Sequence, residues 1–129
     1  MILPDIDLYN ATRIFNFTKS YSGLPGGSHT IVIQVSGQKN VNATNSKVAL
    51  DAVTVGSVTT QDASYKVIYD NWVGKTAASA SNGNYRMNGT SGAVAQLKFT
   101  GNQIDWITAY CPNYGQAEVF IDENHKRKL

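Results

Sequence analysis

Two histidines, one cysteine and nine carboxylates are the side chains of this 129-residue chain best suited to act as acids, bases, nucleophiles or metal ligands. His29 follows Pro25-Gly26-Gly27-Ser28, where a hairpin enters a strand. His125 falls in the C-terminal tail. Cys111 is alone, so it forms no internal disulfide and no Cys-based zinc site. As a nucleophile it would need a His and a third group beside it, and it reads instead as a partly buried thiol next to a turn. No H-E-x-x-H, G-x-S-x-G or phosphate-binding glycine loop occurs. Asp5 and Asp7 alternate along a strand and share a face. A glycosidase pair could be built that way, but solvated strand-face carboxylates are the simpler reading. No enzyme is expected.

Sugar recognition uses other residue types. It needs an aromatic ring for the apolar C–H face and planar polar groups for the hydroxyls. Tyr110-Cys111-Pro112-Asn113-Tyr114-Gly115 offers two aromatics and an amide within one turn. We therefore take Tyr110, Asn113 and Tyr114 as candidate ligand contacts, with Trp72, Tyr85 and Arg86 as helpers from other loops. Tyr114 reads equally as a corner tyrosine that caps the core and bonds backbone with its hydroxyl. Trp72 is open between site and core. Trp106 alternates with Ile104 and is assigned to the core.

The elements that must position these residues are strands. Apolar positions recur with period two: Ile31, Ile33, Val35; Ala93, Ala95, Leu97, Phe99; Ile104, Trp106; Ala117, Val119, Ile121. Turn signals separate the runs at all-β intervals. Eight or nine strands are expected, at about 5–9, 13–19, 28–36, 48–55, 65–69, 84–87, 93–100, 103–110 and 116–122. Lys75 to Ser81 has helix-compatible alanines, diluted by Ser. That many short strands predict an all-β, two-sheet antiparallel sandwich of jelly-roll type, with residues 1–129 as a single domain.

Composition bounds the partners. Charged residues are only 16%, and 11 Lys+Arg against 9 Asp+Glu leave a net charge of +2. The tail 123–129 holds Lys126, Arg127 and Lys128 against Glu123, so it carries that whole excess. The remainder is balanced, which argues against a nucleic-acid face. No apolar run is long enough for a membrane span, and the N-terminus lacks a signal-peptide pattern. The latter fits an intracellular chain, or a mature or excised piece of a larger one. Four N-x-T matches, at Asn10, Asn16, Asn42 and Asn88, are taken as chance in an Asn- and Thr-rich chain.

Two long segments resemble a jelly-roll module of bacterial extracellular proteins, often found in tandem and similar to galactose-binding-like domains and carbohydrate-binding modules. One runs through Trp72, Tyr85-Arg86, Leu97-Lys98-Phe99-Thr100-Gly101 and Pro112-Asn113-Tyr114-Gly115 to Asp122. The other holds Gly27-Ser28-His29-Thr30-Ile31 and Asp51-Ala52-Val53-Thr54-Val55. The order is inverted here: 5–55 resembles the back half of the module and 65–122 the front half. Residues 56–64 form a linker, and 123–129 a basic tail. A straddled pair of repeats and a circular permutant both fit that order, and either allows closure in one chain or exchange between chains.

The resemblance implies an extracellular or cell-surface protein binding a carbohydrate or cell-wall glycan without catalysis. A structural calcium is implied as possible, with Asp51, Asp62 and Asp70 as candidate ligands. No other cofactor is expected, nor membrane insertion. The alternative is a structural or assembly module, a spacer or strand-exchanged homo-oligomer, or an engineered or excised permutant with no native role in this order.

Overall fold

The structure is a computed structural model and describes residues 5–122. The basic tail 123–129, with His125, lies outside the described residues. Strands form where β-branched and aromatic residues alternate with polar ones. In chain order they are β1 (Ile6–Asp7), β2 (Ile14–Tyr21), β3 (Ser28–Val35), β4 (Val48–Leu50), β5 (Ala52–Val55), β6 (Val58–Gln61), β7 (Ile68–Tyr69), β8 (Val73–Thr76), β9 (Asn84–Asn88), β10 (Val94–Thr100), β11 (Ile104–Tyr110) and β12 (Gln116–Ile121). All ladders between them are antiparallel.

The chain is an all-β sandwich. One layer is the five-stranded sheet β1-β12-β3-β10-β7. The other combines the sheets β2-β11-β5-β6 and β4-β9-β8, which share the run 48–55. Register lines up the inner-face rows Leu97–Ile31–Ile121 and Ala95–Ile33–Val119. These rows join Val53, Ile104 and Trp106 in one buried cluster that draws on both halves of the chain. Trp106 is fully buried, and its Nε1–H donates to the Ala49 carbonyl at 3.2 Å. The Thr108 hydroxyl donates to the same oxygen at 2.8 Å, so two side chains of β11 hold β4.

Several expectations are revised. The run 48–55 is not one strand, because it breaks at Asp51. The 56–64 linker contains β6, which forms a hairpin with β5 around Gly56 and Ser57. The expected 65–69 strand shrinks to Ile68–Tyr69, and β8 lies outside the expected strands. Between Lys75 and Gly83 only a 3-10 turn forms, at Ser81–Gly83. Residues 31–35, read as half-buried by alternation, are buried throughout. Their strand is third of five, so both neighbours screen its outer face. There Val32 packs with Val94 and Phe120.

His29 closes one end of the sandwich. Its ring nitrogens donate to the Asp122 carboxylate and to the Pro25 carbonyl. Acceptors at both nitrogens favour the imidazolium. The His29 pKa is raised above 6.5, chiefly by Asp122 and then by Pro25. The Asp122 pKa is lowered by His29 and by the Thr30 amide. A raised folded-state His contributes stability fully below its unfolded pKa and loses it as pH rises through the folded one. A lowered Asp contributes above its unfolded pKa and loses it as pH falls through the folded one. We predict that the Tm advantage of the native chain over His29→Gln is larger near pH 5.5 than near pH 8.5. Thermal melts across that range check this, and an advantage growing with pH would contradict it.

Candidate functional site

The aromatic turn does not assemble as a sugar platform. Tyr114 is 2% exposed and belongs to the core. Burial pushes its hydroxyl well above the ordinary tyrosine range. The turn is locked to the neighbouring loop by Lys47 N–H to the Asn113 carbonyl (3.3 Å) and Gly115 N–H to the Lys47 carbonyl (2.8 Å). A Cβ at Gly115 would lie 2.6 Å from the Gln38 carbonyl oxygen and from Ser46 Cα, so only glycine fits. Asn113 Oδ1 is buried without a hydrogen-bond partner. Tyr110 is half-buried and stacks on Phe17, with ring centroids 4.2 Å apart. Lys19 Nζ sits 4.9 Å over that Phe17 ring.

The helper aromatics are also corrected. Trp72 and Tyr85 are core residues, 7% and 8% exposed. Tyr85 meets Phe15 edge-to-face at 5.5 Å, and Trp72 packs on Tyr69 at 5.5 Å. Of the six candidates, only Tyr110, Asn113 and Arg86 are half-buried rather than buried. Trp106 is in the core, as its alternation with Ile104 predicts.

Arg86 and two candidate acids converge elsewhere, where the second layer forks. β4 pairs with β9, whereas β5, after Asp51, pairs with β6. At the switch the Asp51 N–H donates to the Ile107 carbonyl at 2.9 Å, and its own carbonyl accepts from Asp62 N–H at 3.0 Å. Asp51 Oδ2 accepts from Ser81 N–H at 2.8 Å, while Oδ1 is buried without a partner. Asp51 and Asp62 are 1% and 3% exposed. Burial lifts the Asp51 pKa to about 6 against the Ser81 hydrogen bond, with a smaller contribution from Asp62. Asp62 is raised by burial and held back by Arg86.

Arg86 is framed on two sides. Its Nε lies 3.9 Å from Asp62 Oδ2, and its guanidinium sits 4.9 Å over the Tyr69 ring. The Tyr69 hydroxyl donates to the Asp62 carbonyl at 2.8 Å. The β8–β9 register places Gly74 opposite Arg86 and Thr76 opposite Asn84. A cleft of about 460 Å³ opens here, lined by Asp62, Gly74, Lys75, Thr76, Asn84 and Arg86 among others. Tyr65, 89% exposed, lies two residues beyond Ala63 of the same rim. Sequence reasoning missed Lys75, Thr76, Asn84 and Tyr65. The alternation of Asn84 with Arg86 beside a buried Tyr85 was the available signal.

The three acids proposed for calcium do not form one ligand set. Asp70 accepts from Val94 N–H at 3.1 Å in a separate loop. Among the described residues no three His, Cys, Asp or Glu side chains come close enough to hold a metal. Cys111 is buried, with Arg13 Nε donating to its sulfur at 3.0 Å. Asp5 and Asp7 are exposed.

Family models, curated proteins and solved structures were compared with this chain, and none matches.

Two predictions follow from this placement. Tyr114→Ala should cost about 3–5 kcal/mol of stability, the range for truncating a buried aromatic, measured by denaturant titration. A loss under 1 kcal/mol would return Tyr114 to the surface. Asp51, raised in the folded state, holds its proton there longer than in the unfolded chain. Stability should therefore fall as pH rises from about 4 to 6, by an amount on the order of 2–3 kcal/mol. Asp51→Asn should flatten that slope, and an unchanged slope would refute the assignment.

Proposed function

We propose that this chain is a non-catalytic glycan-binding module of jelly-roll, galactose-binding-like type from an extracellular or cell-surface protein, and that a sugar occupies the fork cleft. The observation that carries the reading is Arg86. Its guanidinium is braced by Tyr69 and Asp62, and among the described residues it makes no side-chain hydrogen bond. A planar guanidinium with unused donors reads adjacent hydroxyls or a carboxylate two bonds at a time. Asn84 adds an amide and Thr76 a hydroxyl. Tyr65, exposed and two residues beyond Ala63 of the lining, is the aromatic we assign to the sugar's C–H surface. Asp62 is nearly closed to solvent, so the charges that a ligand meets first are Lys75 and Arg86. Glycans bearing carboxylates are therefore favoured over neutral ones.

A glycan array followed by calorimetry tests this. Arg86→Ala should weaken binding at least tenfold, about 1.4 kcal/mol, while Tyr110→Ala leaves it unchanged. Affinity for a uronate-bearing glycan should fall as salt rises. Binding lost in Tyr110→Ala and kept in Arg86→Ala would move the site to the aromatic turn. A folded native chain that binds no glycan would end the reading.

A further inference from the structure

The pairing pattern points to a second property, independent of any sugar. Divide the chain between β6 and β7. Six of the nine ladders then join one side to the other: β1–β12, β3–β12, β3–β10, β2–β11, β5–β11 and β4–β9. The first side keeps only the β5–β6 hairpin, and the second only β7–β10 and β8–β9. The two isolated bridges, Tyr9 with Cys111 and Lys47 with Tyr114, also cross the divide. A lone hairpin or strand pair is at best marginal in water. Neither side has a sheet that could bury its own apolar face.

One covalent segment joins the sides, Asp62 to Val67. It consists of two successive turns, with Ser64 N–H to the Gln61 carbonyl at 3.1 Å and Val67 N–H to the Ser64 carbonyl at 3.2 Å. Ala63, Tyr65 and Lys66 on it are exposed. It runs from the edge strand of one layer to the edge strand of the other.

We infer that the partner for which this fold is built is the complementary half of a second copy. Residues 5–61 of one chain complete residues 68–122 of another, using the same ladders as the closed monomer. Exchange keeps every ladder and has to re-form only the contacts of the joining segment, among them Asp62 N–H on the Asp51 carbonyl, the Tyr69 hydroxyl on the Asp62 carbonyl and Val67 in the core, so concentration and linker length decide between the two forms. A short linker holds the halves at an effective concentration of roughly millimolar, and dilute chains are therefore closed monomers. Asp51 comes from one side, Lys75, Asn84 and Arg86 from the other, and Asp62 from the joining segment. In the exchanged form each fork cleft is therefore shared between two chains.

Linker length is the test. Deleting residues 63–66 leaves one peptide link, about 3.8 Å, to bridge layers that stack about 10 Å apart. The deletion variant should keep native circular dichroism and elute with at least double the native mass at micromolar concentration. An eight-residue Gly/Ser insertion at the same point should stay monomeric. A folded monomeric deletion variant would overturn the inference. If the deletion variant fails to fold, the full chain with a protease site placed between Ala63 and Ser64 decides. Cut after folding, its two pieces should stay together. After separation in denaturant they should refold only when mixed, at a rate rising with concentration. Refolding of either piece alone, or none on mixing, would overturn it.

Discussion

Backbone groups buried between two layers must find hydrogen-bond partners, and in this chain the first half finds most of its partners in the second. β1 to β4 have no ladder with one another, and β5 adds only its hairpin with β6. The core depends on that exchange. The inner row Leu97–Ile31–Ile121 takes its middle residue from the first half and its flanks from the second. Loop closure must therefore precede the reward of burial, which makes folding non-local and slow relative to helical domains. The His29–Asp122 contact belongs to the same economy of parts: it ties the entry of β3 to the residue that follows β12.

The fork is the local consequence of that pairing. A run of eight residues meets β9 first and β6 next, so one residue has to sit at the change. Asp51 uses its backbone N–H on Ile107 and its carbonyl on Asp62, and its carboxylate is carried inside. A buried carboxylate with one oxygen unpaired is costly, and the raised pKa records that cost. The cleft opens beside the fork, with Gly74 opposite Arg86 on its wall. The buried carboxylate and the cleft thus arise at the same place, from one interruption in one strand.

Much of the fold was legible because strand alternation is local. Period-two runs at 28–36, 93–100, 103–110 and 116–122 located β3, β10, β11 and β12 within a residue or two. β6 was hidden because Val58-Thr59-Thr60-Gln61 has no alternation of apolar and polar residues, and its outer edge is unpaired. β8 was hidden because all four of its residues are exposed, so burial left no pattern on Val73-Gly74-Lys75-Thr76.

By itself the sequence determined the all-β class, the positions of the long strands and the core place of Trp106. Each follows from the residue's own type and its nearest neighbours along the chain. Tertiary structure alone decided which strands are neighbours, and with that the fate of the candidate site. Tyr114, Tyr85 and Trp72 carry the composition of a sugar platform, but packing from distant strands buried them. Arg86 was a helper candidate for that platform, and strand pairing left it instead at the wall of a separate cleft beside Asp62. Exposure depends on what packs above a side chain, and in this fold that is contributed by residues far away in sequence.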